Sequence, residues 1–114
     1  MQTTALDPYQ NIPRDAVVTA NDYADGELFP SHIHQRGQFA YAARGVITIF
    51  TDEGSWVVPP LRGIWVPSQR PHAMQMRGPV TMLNTYIRKQ AAQRLGLPAH
   101  CQGFDVSPLL RQLL

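Results

Sequence analysis

The sequence predicts an all-β domain, a sandwich or barrel built from short strands. Ten prolines and eight glycines in 114 residues cut the chain into brief segments. Those segments are rich in valine, isoleucine, threonine and aromatics, which suit a pleated, half-buried surface. The length fits one domain with one core.

In order along the chain, 16–20 (AVVTA) reads as a first strand. Residues 38–43 (QFAYAA) and 46–51 (VITIFT) read as a hairpin turning at Arg44-Gly45. Residues 52–54 turn the chain into a strand over 55–59, and further strands are expected over 63–67 and 72–76. The Gly78-Pro79 pair reads as a turn before a last strand over 80–87. Prolines 59, 60, 67, 71 and 79 fall at strand ends, where a missing donor costs nothing. Residues 88–98 have helical propensity and stop at Gly-Leu-Pro. A short C-terminal helix is expected over 107–114, where Ser107 and Pro108 are a good N-cap and first helical residue. Leu109, Leu110, Leu113 and Leu114 then form one stripe, able to serve as a dimer seam or to pack on its own barrel. The expected division is a barrel over 1–106 and the start of a linker or dimerisation helix over 107–114.

Composition narrows the function. The net charge is only +2, and the basic residues after Gly54 are scattered, so this segment alone is a poor nucleic-acid binder. No apolar run approaches a membrane span, and the first residues lack a signal-peptide pattern. One cysteine, Cys101, excludes an internal disulfide; a cytoplasmic protein with a buried structural thiol is expected.

The residues that carry chemistry lie between Gly26 and Gly45, with an echo at His72. On a strand, positions two apart share a face, so His32 and His34 can point into one interior. If Gln38 also faces inward, so do the small residues Ala40 and Ala42, leaving room for a guest, while Phe39 and Tyr41 take the other face. His72 is the best third imidazole, and it brings Met74 and Met76 to its own face. Three imidazoles with an amide oxygen suit zinc, nickel, copper or iron. They can equally bond an effector directly or be satisfied interior polar groups. Trp65, near His72, is a candidate for ligand stacking, although core packing is the ordinary role of both Trp56 and Trp65. Arg36 and Arg62 are expected as solvated turn arginines, with an anion clamp as the alternative. His100 is expected to be structural or exposed. Glu27, the nearest acid, alternates away from the histidines.

The spacing from Gly26 through His32, His34 and Gln38 to Gly45 resembles the first cupin motif, with Gln38 in place of its glutamate. Pro67 and His72 resemble the second motif, which has a glycine at position 69 and an asparagine at position 76 where this chain has Gln69 and Met76. Over almost the whole chain, with RGQ, WVVPP, IWVP and VSPLLR carrying the match, the sequence resembles the N-terminal domain of an AraC/XylS-type transcription regulator. That resemblance implies a cupin-like (RmlC-like jelly-roll) barrel that senses a small-molecule effector and forms a homodimer. It also implies promoter DNA as a partner, reached through a C-terminal helix-turn-helix domain not found in this sequence. The spacing and the cupin motifs make His32, His34, Gln38 and His72 the candidate ligands of a divalent metal, and the inward alternation makes Ala40, Ala42, Met74 and Met76, with Trp65, the candidate lining of an effector pocket. The alternative is a small metal-dependent cupin enzyme, a dioxygenase or isomerase, which the missing carboxylate ligand disfavours.

Overall fold

The computed structural model describes residues 14–60 and 62–106. Among these described residues seven strands and one short helix follow one another: β1 (Ala16–Tyr23), β2 (Leu28–His32), β3 (Gly37–Thr51), β4 (Gly54–Val58), β5 (Arg62–Val66), β6 (His72–Ile87), α1 (Lys89–Arg94) and β7 (Gln102–Asp105). All pairings are antiparallel, in the order β1-β6-β3-β5-β7, with β2 added to β6 and β4 to β3. The expected all-β barrel is therefore what this sequence forms.

Two long strands organise it, and both correct the expected turns. Arg44-Gly45 is not a hairpin and Gly78-Pro79 is not a turn between strands: β3 and β6 run through these points, paired from Gly37↔Ile87 to Thr51↔His72. Register shifts between Ala42 and Arg44, and between Arg44 and Val46, bend the pair. Gly45 takes φ +79°, and a Cβ there would lie 2.4 Å from the Pro79 carbonyl oxygen, so only glycine permits this approach of the two backbones. On the other side of β6, β1 pairs up to Tyr23↔Val80 and β2 takes over at Leu28↔Gln75. The two glycines thus bend long strands where sequence alone suggests hairpins, because neighbours on both sides keep the ladder going.

Inward positions from both halves meet in one apolar cluster that includes Phe29, Ile47, Ile49, Ile64, Val66, Met74, Met76 and Met82. Each such side chain contributes about 1.5–3 kcal/mol relative to exposure. Alternation along β6 is regular, with 72, 74, 76, 80, 82, 84 and 86 buried. Trp56 packs against this cluster, as its core reading expects.

One element was not anticipated as a strand, β7, which pairs with β5 and carries the chain past the buried Cys101. The helix is shorter than the expected 88–98. It ends at Arg94 because Gly96, at φ +72°, lets the amides of Gly96 and Leu97 return to the carbonyls of Gln93 and Ala92 at 3.1 and 3.0 Å. The expected terminal helix over 107–114 and its leucine stripe lie outside the described residues. No helix of the described residues is long and apolar enough to cross a membrane.

Candidate metal centre

β2 ends at His32, so His32 and His34 do not share a regular strand as expected. The alternation nevertheless persists for two more residues: Ile33 is 57% exposed while His34 is buried. His72 opens β6 directly opposite His32, in register His32↔His72. The three ring centroids lie 4.4, 4.8 and 5.3 Å apart, and one nitrogen of each ring falls within 4.8 Å of the others. Among the described residues no other group of three or more His, Cys, Asp or Glu side chains is disposed to hold a metal.

Hydrogen bonds select which nitrogen each ring presents. A carbonyl only accepts, so His32 Nδ1 donates to the Pro30 carbonyl at 2.8 Å and His72 Nδ1 donates to the Arg70 carbonyl at 2.9 Å. That leaves Nε2 as the lone-pair nitrogen of both rings. His32 Nε2 and both nitrogens of His34 are buried without a hydrogen-bond partner. Burial, reinforced by His72 and His32, pushes His34 down to about 3. Burial likewise pushes His72 down to about 4, against the raising effect of the Arg70 carbonyl. Both rings are therefore neutral near pH 7 and offer free electron pairs.

Gln38 completes the cluster. Its Nε2 donates to Asn84 Oδ1 at 2.8 Å, which turns its carbonyl oxygen to His72 Nε2 at 3.1 Å. With Nδ1 carrying the single proton of the neutral ring, two acceptors face one another. A cation shared by that oxygen and that nitrogen relieves the opposition. The separation also matches the roughly 3.3 Å expected between neighbouring ligands around an ion with bonds of about 2.0–2.1 Å. The orphaned imidazole nitrogens and the oriented amide thus fit a divalent metal; an ordinary polar core would leave them unsatisfied.

The other expected residues divide. Ala40, Ala42, Met74 and Met76 face inward with the histidines, each no more than 2% exposed, and pack within the apolar cluster. Trp65 does not join them, which corrects its expected place in the pocket. Its neighbours Ile64 and Val66 take the inward face, so its ring covers Gly37 outside the barrel and Nε1 donates to the Pro98 carbonyl at 2.8 Å. Arg36 is not a solvated turn residue: it is 2% exposed and donates to the carbonyls of Asp15 and Tyr86. Arg62 is exposed and pairs with Asp105 at 2.8 Å. Glu27 stays outside the site, its carboxylate accepting from the Ala24 amide at 3.3 Å.

Asn84 was missed, although the signal existed: an asparagine at an inward position of the strand expected over 80–87. The Pro30 and Arg70 carbonyls are backbone groups that sequence does not distinguish. Arg70 is fixed on the outside by ion pairs with Glu53 and, at 3.7 Å, Asp52, which steadies the carbonyl that His72 uses.

An antiparallel barrel with a histidine cluster near one end of its long strands defines a cupin-like domain. Solved structures agree on the fold. A cupin superfamily protein from Desulfitobacterium hafniense DCB-2 superposes with a TM-score of 0.60 over 65% of this chain and 68% of its own, at 20% identity. Unsaturated-fatty-acid-bound ToxT from Vibrio cholerae strain SCE256 reaches 0.64 over 86% of this chain and 43% of its own, at 7% identity. DMSP lyase DddQ from Ruegeria pomeroyi DSS-3 reaches 0.59 over 64% of this chain and 38% of its own, at 17% identity. More specifically, residues 16–114 match the family model of the AraC-like ligand binding domain, and the chain belongs to that family. It is 31% identical over 85 residues to the HTH-type transcriptional regulator NimR of Escherichia coli (strain K12), a match covering 75% of this chain and 30% of that protein. The chain thus matches under a third of that relative's length.

Proposed function

We infer that this domain senses an effector for a transcription regulator, with a divalent metal held by His32, His34, His72 and the Gln38 carbonyl as part of its binding site. The observation that carries the metal reading is the set of buried imidazole nitrogens of His32 and His34 without hydrogen-bond partners. A bound ion would supply a Lewis-acidic position for an electron-rich group of the effector. The protein residues do the rest: Pro30 and Arg70 fix two ring tautomers, Asn84 orients Gln38, and Met74 and Met76 keep the surroundings apolar. Zinc, nickel, copper and iron all suit such ligands.

Family membership supports the regulatory part. An effector acts only by binding one arrangement of the barrel and its exit segment better than another. In this reading residues 1–106 form the sensing barrel and 107–114 begin the helix that transmits the signal. Homodimerisation, promoter DNA contacted through a separate C-terminal domain, and a cytoplasmic setting belong to the same proposal. The fold is shared with lyases such as DddQ. Among the described residues, however, the metal-ligating cluster consists of histidines alone, with no Asp or Glu to act as acid or base, so binding is favoured over catalysis.

His34→Ala tests the reading. Zinc titration against a chromophoric chelator should show affinity falling about 100-fold or more, while urea unfolding of the metal-free protein changes by less than about 2 kcal/mol. Equal losses of metal binding and folding would make the histidines structural.

A further inference from the structure

Four strand segments, β2, the start of β6, the end of β3 and β4, pair in that order to make one half of the barrel. Phe29, Met74, Ile49 and Val58 point inward from it, so the residues that alternate with them face out. The register aligns Leu28, Gln75, Thr48 and Val57 in one outward row. Phe50 stands in the next row, between Ala73 and Ser55. None of these side chains is charged. Leu28, Phe50 and Val57 are 60, 42 and 67% exposed, and they are half of the large hydrophobic residues left in solvent among those described. Such a contiguous apolar patch marks an interaction surface.

The edges of this sheet are protected while its face is not. β2 contains Pro30, and β4 runs into Pro59 and Pro60, so both edges lack donors that an added strand would need. Charge flanks the face lengthwise. At one end Arg77 stands opposite Val46, and at the other Asp52 follows Thr51, the partner of His72. Five residues of strand separate them, about 17 Å, so the two do not pair within one chain. Arg77 has no ion pair among the described residues. Asp52 is mostly exposed and reaches Arg70 only at 3.7 Å, because Glu53 holds that guanidinium more closely.

We propose that this face binds a second copy of the chain, sheet against sheet, in a two-fold dimer. The inference rests on the homodimer part of the regulatory reading and gives it a surface. A two-fold axis between the faces and across the strands reverses one copy lengthwise. Arg77 then lies over Asp52 of the partner subunit, and the contact occurs twice. An axis along the strands would bring like charges together, so the charges select the arrangement. An uncharged centre with opposite charges at its two ends is complementary to itself. Four strands about 4.8 Å apart and six residues long cover roughly 400 Å², half of the ~800 Å² per partner that a stable complex uses. The dimer is therefore weak on its own.

Sedimentation velocity of the chain from roughly 10 µM to 1 mM tests this, a range that spans half-association for so small an interface. A reversible monomer–dimer equilibrium is expected. Phe50→Ser and Val57→Ser should each weaken it about tenfold while thermal stability stays unchanged. Arg77→Asp and Asp52→Arg should each weaken it by about tenfold or more. An equal mixture of those two variants should recover a heterodimer, since every end contact then joins opposite charges, and misfolding does not imitate that recovery. All four variants should still bind zinc, which keeps the result separate from the metal reading. A chain that stays monomeric throughout overturns the proposal together with the homodimer reading. A dimer indifferent to Phe50→Ser and to both charge reversals overturns the proposal alone and places association on another surface. Reversed variants that stay apart when mixed overturn it as well.

Discussion

The chemistry of Gln38 decides how strongly the cluster holds an ion. An amide contributes an oxygen but no charge, so three neutral imidazoles and Gln38 leave the dication's charge uncompensated. Gln38→Glu should therefore tighten zinc binding by at least about tenfold, because a full negative charge beside a dication exceeds the ~1.4 kcal/mol that a factor of ten requires. The same substitution should lower the stability of the metal-free protein, since a carboxylate is then buried against Asn84 Oδ1 without an ion. Competition titrations and urea midpoints with chelator check both halves. The histidines also set a pH dependence. With His34 near 3 and His72 near 4 in the fold, against 6.5 when unfolded, the unfolded chain binds more protons between these values. Metal-free stability should be fully present above about pH 6.5 and fall as pH drops, by up to about 1.4 kcal/mol per pH unit for each ring. Urea midpoints measured from pH 7 to pH 4 should show this slope, and His34→Ala should reduce it; a flat profile would contradict neutral, buried rings.

What the sequence disclosed about the elements followed from period and spacing. The β character, the inward facing of Gln38, Ala40 and Ala42, and that of His72, Met74 and Met76 all come from a period of two. The bends of β3 and β6 did not, because Arg44-Gly45 and Gly78-Pro79 carry the same local signal whether a chain reverses or only bends. Pairing with distant strands decides between those outcomes, and one sequence does not show it. Trp65 went astray for a related reason: nearness to His72 in sequence says nothing about which side of β5 a ring takes. Asn84 was legible only once its strand was known to face inward. The bend itself is testable. Gly45→Ala should cost about 2 kcal/mol or more, since the added carbon meets the Pro79 carbonyl in a left-handed backbone. Gly26→Ala has the same φ of +79° but nothing within 4 Å, so it should cost only about 1 kcal/mol. Urea denaturation of the two variants distinguishes backbone strain from steric contact; equal losses would mean that β3 and β6 do not approach closely at Gly45.

For the molecule as a whole, the end of β2 faces the start of β6 at His32↔His72, and the bend of β3 and β6 brings Gln38, from the far end of their ladder, to the same place. The resemblance to AraC-type sensing domains was visible in the sequence, and membership of the family explains why a barrel serves binding here. All of this depends on the imidazoles being ligands waiting for a common ion. X-ray absorption at the zinc edge, on the chain loaded with one equivalent and freed of excess, addresses it most directly. Four nitrogen or oxygen neighbours at about 2.0–2.1 Å with outer-shell scattering from three imidazoles, reduced to two imidazoles in His34→Ala, is the expected spectrum. Zinc lost on desalting, or a spectrum of water oxygens alone, would contradict it.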